Sequence, residues 1–157
     1  MIKERYISDT GTHIRICLKK PDGWVLSRNI PYTNETRNNV YQHAIILRNT
    51  LGKELWQEFW PQVLTSDVLA RLPRRLVPTL KIIKNNSGET HVYEMNWYQS
   101  TGNLKQRKSI TRSISVRSKK EAIKECLEAF YEAHKPLEPI ILHMKKHNHP
   151  RLREWKI

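Results

Sequence analysis

The order strand, strand, strand, helix is written twice in this chain, and each copy is punctuated by residues that favour turns. In the first half RYIS runs into Asp9-Thr10-Gly11, and THIRICLK follows, with Ile14, Ile16 and Leu18 alternating with Arg15, Cys17 and Lys19. An alternation of period two is a strand with one buried face. Lys20-Pro21-Asp22-Gly23 reads as a type I turn, proline setting φ at the second position and glycine closing it, and WVLSRNIPY resumes an extended run to Thr33. A helix is predicted next: Asn34 can cap it, Val40, Ala44, Leu47 and Leu51 recur at helical spacing, and Gly52 stops it.

The second half repeats the order. TLKIIK, the turn Asn85-Asn86-Ser87-Gly88, ETHVYEMNWYQ, the turn Ser100-Thr101-Gly102-Asn103, LKQRKSITRSISV and a helix from Ser118 to about His134 follow one another. The segment Ser27-Arg28-Asn29-Ile30-Pro31-Tyr32 aligns with Thr111-Arg112-Ser113-Ile114-Ser115-Val116, although the shared order of elements weighs more than these matches. The expected fold is α+β: two tandem units, residues 1–52 and 79–134, each a three-stranded antiparallel sheet packed on one helix. Residues 53–78 form a helical connector holding KELWQEFW, the apolar SDVLARL and the breakers Pro73 and Pro78. Trp56, Phe59 and Trp60 there need burial, either between the units or in a homodimer contact. Pro136 and Pro139 end the second helix, and residues 135–157 form a basic C-terminal helix or tail.

Charge narrows the function. The chain of 157 residues carries a net charge of +13, and the excess is spread over both halves, so no basic tail explains it. With no apolar run of about 20 residues to span a membrane, nucleic acid is the expected partner, with an acidic protein or an anionic membrane surface as alternatives. Cys17 and Cys126 form no C-x-x-C pair, which argues against a disulfide framework or a zinc finger. The absence of a signal-peptide pattern points to a reducing cytoplasm, where a DNA-binding protein would be nucleoid-associated.

The sign of the charge is also segregated. Glu121, Glu125, Glu128 and Glu132 mark one face of the second helix, and Ile123, Cys126, Leu127, Phe130 and Ala133 mark another. An acidic stripe repels phosphates, so this helix is expected to back the sheet. No acidic residue lies between Glu94 and Glu121, a window that contains Lys105, Arg107, Lys108, Arg112, Arg117, Lys119 and Lys120. The open sheet face is therefore the expected polyanion-binding surface.

The run SISVRS-KKEAIKECLEAF, with Ser115-Val116, Ser118, Glu121-Ala122 and Ala129, resembles the AP2/ERF-type DNA-binding domain, in particular its phage and integrase-associated members. The likeness covers about residues 79–134, and residues 4–52 mainly by element order. It departs from the family pattern where Ser118 stands near the place of a glycine. The resemblance implies that the sheet enters the major groove of double-stranded DNA, and that the protein is a transcriptional regulator or recombination accessory factor of a phage or other mobile element.

Parity nominates the contacts. His13, Arg15 and Lys19 lie opposite Ile14, Ile16 and Leu18; Ser27 and Asn29 align with Thr111 and Ser113, whose parity Lys105, Arg107 and Ser109 share, opposite Ile110, Ile114 and Val116. Arg28 and Arg112 have the apolar parity and are expected at a sheet edge, reaching the nucleic-acid backbone. Lys108, Asn96 and Tyr98 complete the candidates. Arginine and lysine suit phosphate or guanine, while Asn, Ser and Thr reach base edges. Trp24, Trp97 and Tyr98 either stack on bases or anchor the sheet, and an aromatic on a small sheet more often belongs to the core.

His143, His147 and His149 invite a metal or HNH-nuclease reading, but no carboxylate lies between Glu138 and Glu154 to complete a ligand set. No phosphate loop, nucleophile elbow or paired-carboxylate site appears, so neither catalysis, a cofactor nor a small-molecule ligand is expected. The alternatives are an RNA-binding protein using the same sheets and a small nuclease.

Overall fold

The computed structural model describes residues 4–65, 76–101 and 104–156. The architecture is α+β, with two separate three-stranded antiparallel sheets. The chain divides into two compact units, Met1–Thr65 with His143–Pro150, and Ser66–Leu142 with Arg151–Ile157. The predicted apolar segment SDVLARL and Pro73 fall outside the described residues, as does the centre of the turn at Gly102-Asn103.

In the first unit β1 (Ile7–Asp9), β2 (His13–Lys19) and β3 (Val25–Pro31) pair in that order. The period-two alternation is realised along β2, where Ile14, Ile16 and Leu18 are fully buried while Arg15 and Lys19 are exposed. Asp9 shapes the first turn by accepting from the Gly11 amide at 2.9 Å. At the second, Gly23 has φ +88°, the left-handed conformation that glycine adopts without strain, and its amide donates to the Lys20 carbonyl at 3.0 Å.

The helix α1 (Arg37–Trp56) starts later and ends later than the sequence suggests. Asn34 does not cap it, because Thr33 to Thr36 close a turn of their own, the Thr33 amide donating to Thr36 Oγ1 at 2.9 Å. Nor does Gly52 stop it. A Cβ at Gly52 would overlap the indole of Trp60, so glycine is there to let that ring lie on the helix. The helix ends at Gln57, which takes φ +52°, and α2 (Trp60–Thr65) follows a 3-10 turn.

Its most buried line is Ala44, Arg48, Gly52 and Trp56, each four residues on, and not the predicted Val40, Ala44, Leu47 and Leu51, of which only Ala44 is buried. A buried guanidinium needs partners. Arg48 Nη1 donates to Glu4 Oε2 and to the Arg5 carbonyl, both at 2.9 Å. Trp56 donates its indole N–H to the Lys19 carbonyl at 2.8 Å, and Trp60 lies 6.1 Å from Tyr6, centroid to centroid. Trp56 and Trp60 thus pack inside the first unit.

In the second unit β4 (Thr79–Asn85), β5 (Gly88–Thr101) and β6 (Leu104–Ser113) pair in that order. The hairpin register sets Asn85 opposite Gly88, so Asn86 and Ser87 alone make the turn. β6 stops at Ser113 and does not reach Val116, because Ser113 Oγ accepts from the Ser115 amide at 3.1 Å and bends the chain away. Val116 consequently leaves the apolar parity and is 77% exposed.

The helix α3 (Lys119–His134) opens with a capping box. Ser118 Oγ accepts from the Glu121 amide at 3.2 Å, and Glu121 Oε2 accepts from the Ser118 amide at 2.8 Å. Cys126 donates its thiol to the Tyr93 carbonyl at 3.5 Å, and Phe130 meets Trp97 edge-on at 5.9 Å. The buried line is Ala122, Cys126, Phe130 and His134, whereas Ile123, Leu127 and Ala133 are only half-buried.

The C-terminal segment is ordered. After a 3-10 turn, α4 (Glu138–Lys146) and a 3-10 helix at Pro150–Leu152 follow, and Ile140, Ile141, Leu152 and Trp155 are buried in the second unit. Trp155 lies 5.3 Å from Phe130 and 5.2 Å from Tyr131. This segment is not a solvated tail. Among the described residues no helix is long and apolar enough to cross a membrane.

Candidate nucleic-acid interface

In an antiparallel ladder, residues directly opposite one another project from the same face. Register therefore fixes which candidates share a surface. In the first sheet the pairs Arg15 with Asn29, Cys17 with Ser27 and His13 with Pro31 lie on the face away from Ile14, Ile16 and Leu18. Arg15 Nε donates to Asn29 Oδ1 at 3.2 Å, and both side chains are exposed. Ser27 sits beside Cys17, with Oγ and Sγ 3.8 Å apart. His13 is half-buried and bonds through Nδ1 to Thr12 Oγ1 at 3.0 Å. Lys19 lies at the end of β2 beside Val25. Arg28 opposes buried Ile16, so it belongs to the other face, although its side chain is exposed.

In the second sheet the register joins Asn96 with Ser109, Tyr98 with Arg107, Glu94 with Thr111 and Val92 with Ser113. These residues share the face opposite Tyr93, Met95 and Trp97. Lys105 pairs with Ser100 and shares their parity by register alone. Arg107, Ser109 and Thr111 are exposed, and Asn96, Tyr98 and Ser113 are half-buried.

Two of the nominated cations lie on the other side. Lys108 opposes Trp97 and Arg112 opposes Tyr93. Arg112 reaches the helix, its Nε 2.6 Å from Glu125 Oε2, and Arg117 Nε lies 3.4 Å from Glu125 Oε1. The predicted acidic stripe is thus not a uniformly free face: Glu121 caps its own helix, Glu125 binds two arginines, and Glu128 lies 3.6 Å from Lys124. The capping bonds from Ser118 lower the pKa of Glu121 and keep it ionised.

Sequence reasoning missed two residues on the open face. Glu94 stands within it, accepting from Ser109 Oγ at 3.3 Å, with Lys81 Nζ 3.6 Å from its other oxygen. Its parity with Asn96 and Tyr98 was the signal available. Lys81 opposes Val92 and adds a cation from β4. Trp24 is also not core, being 74% exposed at the β2–β3 turn, whereas Trp97 is buried.

Two of the three histidines, His143 and His149, act in packing, and His147 is exposed. His143 lies 5.1 Å from Phe59 and 5.9 Å from Trp56, and His147 lies 4.5 Å from His143. His149 is buried, and a Cβ on Gly23 would come within 3.0 Å of its Nε2. Among the described residues no group of three His, Cys, Asp or Glu is placed to hold a metal. Comparison of the chain with protein-family models, curated proteins and solved structures found no match.

Proposed function

We propose that the chain is a non-enzymatic protein that binds double-stranded DNA through the open faces of its two sheets, with strand side chains in the major groove, as in the AP2-type domains it resembles. The observation that carries this reading is the register of β5 and β6. It gathers Asn96, Tyr98, Arg107, Ser109, Thr111 and Ser113 on one face, while Glu125 is drawn to Arg112 on the opposite face. A net charge of +13 supplies the long-range attraction to phosphates, and hydroxyls and amides between the cations are the groups that read base edges.

In this reading the two sheet-and-helix units are tandem copies that contact one duplex, each backed by its long helix, and linking two weak binders raises affinity by roughly 10²–10⁴ when the geometry allows both to engage. The role as a regulator or recombination accessory factor of a mobile element rests on the family resemblance. A gel-shift comparison of duplex DNA, single-stranded DNA and structured RNA of matched length tests the reading. Preference for duplex DNA supports it; preference for structured RNA replaces it with RNA binding. Mg²⁺-dependent cleavage abolished by His147→Ala would replace it with a nuclease.

A further inference from the structure

The free edge of β4 is a feature of the second unit that the DNA reading does not use, although Lys81 of this strand lies on the open face. β4 pairs with β5 along one side, and among the described residues no strand pairs with its other side. An unpaired strand edge presents backbone N–H and C=O groups to solvent, and proteins ordinarily protect such edges with free charge, proline or a bulge. β4 has little of this protection. It carries Leu80, Ile82 and Ile83 at 48%, 49% and 40% exposure. Its two lysines remain exposed, but each lies near a carboxylate of β5, Lys81 Nζ 3.6 Å from Glu94 and Lys84 Nζ 3.1 Å from Glu89, so their charge is partly offset.

We infer that β4 is a self-association edge, on which a second copy of this chain adds its own β4 antiparallel about a two-fold axis to form a continuous six-stranded sheet. The backbone chemistry of the edge calls for an extended strand, and β4 is complementary to itself in the register that pairs its full length. Ile82 is the midpoint of Thr79–Asn85, so a two-fold at Ile82 pairs every residue of the strand. It sets Ile82 against its own copy, Lys81 against Ile83, Leu80 against Lys84 and Thr79 against Asn85. No lysine then faces a lysine, and each lysine stem lies beside an apolar side chain. Centring on Lys81 would set that charge against itself and shorten the ladder. A two-fold perpendicular to the sheet is the isologous arrangement usual for dimers, and it turns the same face of both sheets in one direction.

The inference is independent of DNA binding and is tested without nucleic acid. Sedimentation velocity of the whole chain at several concentrations should show a reversible monomer–dimer equilibrium. Ile82→Lys, which sets two cations opposite each other, should lose the dimer while keeping the circular dichroism spectrum, since residue 82 is half-exposed. In a Cys17→Ser background, Ile82→Cys should give a disulfide-linked dimer under mild oxidation. Lys84→Cys, whose two copies lie far apart in this register, should not. A wild-type chain that stays monomeric, an Ile82→Lys variant that still dimerises, or equal crosslinking at both positions would overturn the inference.

Discussion

Arg112 Nε lies 2.6 Å from Glu125 Oε2, so a cation of the strand β6 is directed to a carboxylate of the helix α3 and not to the open face of the sheet. The same carboxylate holds Arg117 at 3.4 Å, which ties the bend after β6 to the helix that follows it. Both Arg112 and Glu125 are about one-third exposed or more, and pairs of this kind contribute roughly 0–1 kcal/mol. Glu125→Gln should therefore lower stability by no more than about 1 kcal/mol and leave duplex affinity unchanged or slightly higher. Urea denaturation in a double-mutant cycle with Arg112→Ala, beside a binding titration, measures both. A coupling energy of zero would mean the pair does not fasten strand to helix.

Gly52 gives a sharper stability test. Alanine is favoured over glycine in a helix interior by about 1 kcal/mol, yet a Cβ here would overlap the Trp60 indole. Gly52→Ala should therefore destabilise the first unit, by about 1–3 kcal/mol as for other overpacked cores. Adding Trp60→Leu should recover part of the loss that Gly52→Ala causes in the wild-type background. Thermal denaturation of the two single variants and the double variant decides it.

Asp9 couples stability to acid. It accepts from Tyr32 Oη at 2.5 Å, from the Gly11 amide and from Arg37, whose Nε and Nη2 lie 2.8 and 2.6 Å from Oδ2. These bonds, the one from Tyr32 foremost, lower its pKa from 3.8 to about 2. Because the folded pKa lies below the unfolded one, the stabilisation is fully present above pH 3.8 and is lost as pH falls from 3.8 towards 2. Asp9→Asn should be less stable than wild type at neutral pH, and the difference should shrink on acidification through that window. A difference independent of pH would show that these bonds do not depend on the carboxylate charge.

Glu94 is the one carboxylate on the open face of the second sheet, among the described residues, that a polyanion would have to approach. Two unit charges about 4 Å apart in water interact by about 1 kcal/mol, and neutralising Glu94 also releases Lys81. Glu94→Gln should tighten duplex binding by a factor of a few, with the largest gain at low salt. Weaker binding would place the binding surface elsewhere.

The strands were legible because period two survives in short windows. Ile14, Ile16 and Leu18 announce their own face, and register does the rest. The start of α3 was legible from Ser118 and Glu121, a local hydrogen-bond exchange needing no tertiary contact. What failed depended on partners distant in sequence. Gly52 reads as a stop unless Trp60 is known to lie on it. Arg48, which the helical spacing of apolar residues passes over, is buried because Glu4 and the Arg5 carbonyl receive it. Residues 135–157 read as a basic helix or tail, and a helix is present, but its burial was hidden because Ile140, Ile141, Leu152 and Trp155 are interspersed with lysine, histidine and arginine, and only packing sorts them. Of the candidate site, parity recovered the open-face set but overlooked Glu94, and for Arg112 it did not foresee the attraction of Glu125 on the opposite face.

The most direct test of the central claim is the salt dependence of binding, by fluorescence anisotropy, for the whole chain on duplex DNA, single-stranded DNA and structured RNA. Three variants accompany it: Arg15→Ala and Arg107→Ala on the open faces, and Lys124→Ala on the helix. The account predicts tightest binding to duplex DNA. Each open-face variant should flatten the slope of log K against log salt by about 0.9, the change expected when the protein neutralises one phosphate fewer, and Lys124→Ala should leave it unchanged. A slope reduced by Lys124→Ala but not by Arg15→Ala or Arg107→Ala, or tighter binding to structured RNA, would contradict it.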